Sequence, residues 1–245
     1  MSEVAFSIAR HAAWAPGVAS SEQWNRWAQA PWTLAGDDEP KVSAMPPMLR
    51  RRAGFLGRMA LEVAYQCVDA QDDVPTVFCS RHGEVERAVG LLDDLARGEP
   101  LSPTTFGLAV HNASAGLFSI ARAKRANHVA LAAGAATLEH AVIEACGLLA
   151  DGAPMVLLVA CDAPLPDSLS GFEDCDEQPF AFAWAMVAPD ARPLRLTWRA
   201  DLAGADAAPA SRMPGGLEVL RFQLGGTAPL VRCAGGHEWT WSRDA

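Results

Sequence analysis

Residues 103–163 read PTTFGLAVHNASAGLFSIARAKRANHVALAAGAATLEHAVIEACGLLADGAPMVLLVACDA, and this stretch decides the fold. Met155–Cys161 (MVLLVAC) is apolar at every position, as a strand must be when helices cover both faces of its sheet. Upstream, the span from Ala135 to Leu149 sets Leu138, Val142, Ile143, Cys146 and Leu149 on one side at helical spacing. Asp151-Gly152 then supplies the stop. His128–Ala132 reads as a short strand, and residues 111–125 as a helix rich in small residues at its start. Strands alternating with helices argue for a layered α/β fold.

Working outward, Val74–Ser80 (VPTVFCS) is a second buried strand, followed by an amphipathic helix over Glu84–Arg97 that Gly98 and Pro100 terminate. Residues 4–9 (VAFSIA) form a strand. Ser20 and Gln23 make a capping box ahead of Trp24 and Trp27, predicting a helix over 21–30. Residues 31–47 read as a loop, after which Pro46-Pro47 opens one long helix to Val68 carrying Leu49, Phe55, Leu56, Met59, Val63 and Cys67. Phe180–Ala188 is a strand, 199–216 a flexible linker by composition, and Glu218–Leu224 a last strand before a Trp- and Gly-rich tail. The expected organisation is a domain over 1–198, the linker, and a segment over 217–245 whose strand and tail pack on that domain.

The 245 residues are 50% hydrophobic and 20% charged, enough for one substantial core. The net charge of -9 and the lack of a long basic stripe exclude a nucleic-acid backbone as partner. The start, MSEVAFSIAR, has no basic region before an apolar one, and no apolar run is long enough for a bilayer, so a cytoplasmic location is expected. The six cysteines never form C-x-x-C and the six histidines never form H-x-H or H-E-x-x-H. No disulfide framework, metal or cofactor is expected.

Two nucleophiles need weighing. Ser114 lies in NASAG, which shares part of the G-x-S-x-G elbow but lacks its first glycine; a close-packed helix start explains it as well. Cys161 ends the central strand beside Asp162, where α/β proteins often place function, yet no histidine can be paired with it. Arg50, Arg51 and Arg52 sit near a helix start and suit either a solvated face or docking to an acidic carrier protein.

As a whole, 103–163 resembles the N-terminal half of the β-ketoacyl synthases, condensing enzymes of thiolase-like fold. Asn112 matches the asparagine at the family's helix start; His140, Glu144 and Ala145 match its long helix; Gly152 and Met155–Cys161 match the turn and strand that follow. The helix LRRRAGFLGRMALEVA resembles the family's early helix. The resemblance implies a thiolase-like α/β fold with one mixed sheet of about five strands, helices on both faces, and most of the second half of the usual double repeat lacking. It also places the nucleophile position on Ala135, counting back from Glu144-Ala145 or forward from Asn112. A methyl group cannot form a thioester. The family has two catalytic histidines in its C-terminal half, and beyond the linker only His237 is present. No catalytic residue is therefore expected.

This pattern resembles the short chain-length-factor subunits of aryl-polyene and xanthomonadin-type pigment pathways. It implies a non-catalytic subunit that pairs with a full-length β-ketoacyl synthase, helps shape its acyl cavity, and meets the acyl carrier protein through that partner. Acyl-channel or interface candidates are Thr105, Phe106, Leu108, His111, Asn112 and Val129, the last on an edge strand. Two other readings stay open: a stand-alone homodimer that binds acyl groups or acyl carrier protein, and an acyltransferase or hydrolase using Ser114 or Cys161.

Overall fold

The computed structural model describes residues 2–201 and 212–243. Eight strands form one mixed sheet: β1 (Ser2–Trp14), β2 (Thr76–Cys79), β3 (His128–Leu131), β4 (Val156–Asp162), β5 (Phe180–Val187), β6 (Leu194–Ala200), β7 (Leu230–Ala234) and β8 (His237–Arg243). Their spatial order is β3-β2-β4-β5-β1-β6-β8-β7. β2 runs parallel to both β3 and β4, while β5, β1, β6, β8 and β7 pair antiparallel in succession. The helices are α1 (Ser21–Gln29), α2 (Pro47–Arg50), α3 (Phe55–Cys67), α4 (Val85–Ala96), α5 (Pro103–Gly107), α6 (Ala113–Arg122), α7 (Thr137–Ala150) and α8 (Gly215–Gly225).

The sheet is covered on both faces. Every residue of β4 is buried, as its unbroken apolar run requires. On one face α3 lays Leu56, Met59, Ala60, Val63, Ala64 and Cys67 along a single stripe, and α6 adds Leu117 and Phe118. On the other, α7, α1 and α8 enclose Trp27, Trp184, Trp239 and Trp241, all with 0–1% exposure. Each large apolar side chain so buried contributes on the order of 1.5–3 kcal/mol. Among the described residues no helix is long and apolar enough to cross a membrane.

Three expectations are corrected. The sheet has eight strands, not about five, because β6 continues past β1 and the tail folds back as the β7–β8 hairpin on β6. Glu218–Leu224 is helical, not a strand: α8 starts after Pro214 and buries Leu217, Val219, Leu220 and Phe222. The helix expected from Pro46 to Val68 is broken between Arg50 and Phe55. Gly54 is extended at the N-cap of α3, and a Cβ there would meet Arg87 Nη2 at 2.9 Å and Glu84 Oε2 at 3.0 Å. Of the linker expected over 199–216, residues 202–211 lie outside the described residues; Arg199 and Ala200 finish β6, and Gly215 and Gly216 open α8.

Candidate functional site

The turn into α7 carries the residue in question. Gly134, at φ +56°, opens a 3₁₀ turn over Gly134–Ala136. Thr137 fastens it: its Oγ1 donates to Gly134 O at 2.7 Å and accepts from Ala133 N at 2.9 Å. Ala135 is exposed on this turn and offers a methyl group and backbone only. Its carbonyl accepts from Arg232 Nη2 at 3.1 Å.

Arg232 comes from β7 and is the centre of a buried ionic knot. It donates to Glu139 through Nη1 and to Glu218 Oε2 through Nε at 2.8 Å, while Trp241 Nε1 donates to Glu139 Oε1 at 3.2 Å. The side chain of Glu139 is fully buried and that of Arg232 is 8% exposed. Burial works against the guanidinium charge, but Glu139 and Glu218 outweigh it and hold Arg232 above its usual range. Gly215 makes room for it, since a Cβ there would stand 1.9 Å from Arg232 Nη2. The C-terminal hairpin is thus pinned across the start of α7, beside Ala135. His140 is occupied as well: Nδ1 lies 2.9 Å from Ala136 O, and its ring meets Trp239 edge-on. His237 opens β8 just after the Gly235-Gly236 turn, with Nδ1 3.0 Å from Gly235 O and its ring tilted against Trp239.

Beside this turn, at the carboxyl ends of β2 and β4, Asp162 Oδ1 accepts from Ser80 Oγ at 2.9 Å and from Arg81 N at 2.8 Å. Burial pushes its carboxyl up to about 7 despite these donors and the neighbouring guanidinium. The folded chain then holds a proton on Asp162 between about pH 4 and 7 that the unfolded chain has released, so stability falls as pH rises through that window. Asp162→Asn keeps an acceptor for Ser80 and Arg81 and should flatten this dependence. Melting curves from pH 4 to 8 check it; parallel profiles for the two proteins would contradict the assignment. Asp174, Cys175 and Glu177 bring their donor atoms within 4.8 Å of one another nearby. Arg81 already occupies that cluster, reaching Cys175 Sγ at 3.0 Å, Glu177 Oε1 at 3.1 Å and also Asp174. A cation is therefore supplied by the chain itself, which ties the 174–177 loop to β2.

The interface candidates lie on α5, at the start of α6 and on β3. β3 is an edge strand, flanked by α6 and α7, with a groove along its outer side lined by Ser119, Asn127, His128, Val129, Glu144 and Leu148. His111 Nε2 lies 3.1 Å from Leu131 O at the end of β3, and Asn112 is the N-cap of α6 without a side-chain capping bond. A Cβ on Gly83, at φ +60°, would lie 2.4 Å from His111 Nδ1, so the glycine is required for His111 to sit there. Phe106 on α5 is 65% exposed; Thr105 and Leu108 are half-buried, Leu108 against the α3 side of the core. Leu92, Leu95, Leu101 and Val110, between α4 and the start of α6, are exposed apolar side chains too. The backbone of Val129 is not at the free edge. Thr76 N donates to Asn127 O and Ser80 N to Leu131 O, so alternate residues 127, 129 and 131 face β2, while His128 and Ala130 face outward.

Arg50, Arg51 and Arg52 do not share a helix N-terminus. Arg50 ends α2 and donates to Lys41 O at 3.1 Å; Arg51 and Arg52 are exposed in the break before α3. Ser114 is buried in the first turn of α6, with Oγ 2.9 Å from where a Cβ on Gly57 would be. Cys161 is buried in β4 and burial raises its thiol well above the ordinary range, which makes it a poor thiolate. Arg232, Glu139, Glu218 and Trp241 were not singled out from sequence. A lone arginine inside the otherwise apolar run at 230–234 was the available signal.

Sheet and site together define a condensing-enzyme-like chain of thiolase-like α/β fold. The chain belongs to the β-ketoacyl synthase N-terminal domain family, whose model matches residues 24–242. Among solved structures it is similar to a ketosynthase in complex with its chain length factor from Xenorhabdus doucetiae, at 26% identity and a TM-score of 0.85, covering 98% of this chain and 100% of that one. It is also similar to the ishigamide ketosynthase/chain length factor, at 12% identity and a TM-score of 0.69, covering 98% and 99% of the two chains. A ketosynthase from module 1 of the bacillaene synthase of Bacillus amyloliquefaciens FZB42 matches over 82% of this chain but only 47% of its own, at 10% identity and a TM-score of 0.58. The last two likenesses speak for the fold. No curated protein sequence matches the chain.

Proposed function

We propose that this chain is the non-catalytic, chain-length-factor-like subunit of a β-ketoacyl synthase heterodimer, working in polyene or fatty-acid-like biosynthesis. The observation that carries the reading is Ala135: the apex of the turn into α7 presents a methyl group, and Arg232 binds its carbonyl. Covalent acyl transfer needs an activated heteroatom at that apex. Neither alternative nucleophile serves, since Ser114 and Cys161 are both buried within packed elements. The likeness to a chain of the Xenorhabdus doucetiae complex supports the partner class.

In this reading the outer edge of β3 pairs with the ketosynthase, because an edge strand offers unpaired N–H and C=O groups to a second chain. Thr105, Phe106, Leu108, His111 and Asn112 border the partner's acyl channel, and Phe106 is the exposed apolar wall. Acyl carrier protein reaches the complex through the ketosynthase, with Arg51 and Arg52 the exposed cations available to it. Co-expression with a β-ketoacyl synthase, followed by size-exclusion chromatography with light scattering, tests the assembly. A one-to-one complex is expected. A stable homodimer of this chain eluting apart from the ketosynthase would replace the proposal with a stand-alone binding module.

A further inference from the structure

His128 and Ala130 turn their backbone N–H and C=O groups outward from β3, whereas Val129 turns its own toward β2. In an antiparallel pair, residues directly opposite each other exchange both hydrogen bonds or none. Within β3, only one register of a second copy engages both outward residues on each strand. It sets 128 against 130 and leaves Val129 facing its own counterpart, with Cα atoms about 4.5 Å apart. The two-fold axis of such a pair passes beside Val129.

Val129 projects on the α7 face of the sheet, like Val77 beside it on β2 and Leu131 two residues on, both packed in the core that α7 covers. Glu144 and Leu148 of α7 line the same groove as Val129. The Glu144 side chain has neither hydrogen bond nor ion pair among the described residues, although the residue is half-buried. Arg125 also lines the groove, exposed in the connection before β3, and does not bond Glu144. His128 alternates to the α6 face.

Residues beside a two-fold axis meet their own copies. Two Glu144 carboxylates brought to the axis repel, and assembly strips from the groove the water that screens them. The second copy adds to this with 29 acidic against 20 basic residues. A chain presenting a Lys or Arg at the same place is attracted and gives Glu144 the partner it lacks. Resting on the heterodimer reading above, we propose that Glu144 selects the partner at this edge: it turns away a second copy of this chain and takes a cation from the ketosynthase.

The test compares the full chain with Glu144→Gln, which keeps the shape of the side chain and removes its charge. Titration against a tagged ketosynthase should show binding weakened about tenfold in the variant, the loss of roughly one charge-assisted bond. Sedimentation of each chain alone should show self-association strengthened about tenfold in the variant. Raising NaCl should weaken the wild-type complex more steeply than that of the variant, a response that a merely structural role would not give. Unchanged affinity for the ketosynthase, unchanged self-association, or parallel salt profiles would each overturn selection by Glu144 and leave the heterodimer reading standing. A wild-type chain that fails to bind the ketosynthase overturns both.

Discussion

Ala130→Pro is expected to reduce recovery of the ketosynthase with this chain at least tenfold while the chain itself stays folded. Ala130 sits in β3 with its N–H directed away from β2, as the bonds from Thr76 to Asn127 O and from Ser80 to Leu131 O require. Proline there removes a donor from the free edge only, a position that sheets tolerate. An obligate interface of this kind buries on the order of 2,000 Å² or more, and its register hangs on the strand at its centre. Val129→Pro provides the contrast. It strikes the ladder to β2 inside the chain's own sheet, so it should lower the melting temperature of the chain as well as its association. Pull-down with a tagged ketosynthase, with circular dichroism of each variant, separates the two. A stoichiometric complex with Ala130→Pro would move the interface away from β3.

Arg232→Met is expected to destabilise the chain by about 3–5 kcal/mol, the usual cost of removing one member of a buried ion pair. Fully buried Glu139 would be left next to Trp241 with no cation, and Glu218 would lose its partner too. For a chain of this size the melting temperature should drop by roughly 6–20 °C. Arg232→Met combined with Glu139→Gln should recover part of the loss, because the uncompensated charge is gone. A double variant no more stable than the single one would show that the hairpin is held by its tryptophans and not by the knot.

Local signals carried most of the N-terminal part of the fold. The Ser20–Gln23 capping box appears as read, with Gln23 N on Ser20 Oγ at 3.2 Å and Ser20 N on Gln23 Oε1 at 2.9 Å. The unbroken run at Met155–Cys161 is the fully buried β4. The misses have physical causes. Leu194–Ala200 (LRLTWRA) alternates as a strand should, but its composition leads straight into the linker-like stretch. In Glu218–Leu224, β-branched Val219 among apolar neighbours suggested a strand, while Leu217, Leu220 and Leu224 held the helical spacing that prevailed. The break before α3 is tertiary: Gly54 stands beneath Arg87 and Glu84, thirty or more positions away. The turn into α7 was legible, since the motif that placed Ala135 there agrees with the 3₁₀ turn over Gly134–Ala136, whereas Arg232 gave no signal of its role. Its role depends on Glu139 and Glu218, which only the folded chain brings to it.

The most direct measurement is intact-protein mass spectrometry of the co-purified pair after loading from acyl carrier protein. The account predicts one acyl adduct on the ketosynthase and none on this chain, whose apex at Ala135 has no atom to carry it. A stoichiometric thioester or ester on any residue of this chain would contradict it.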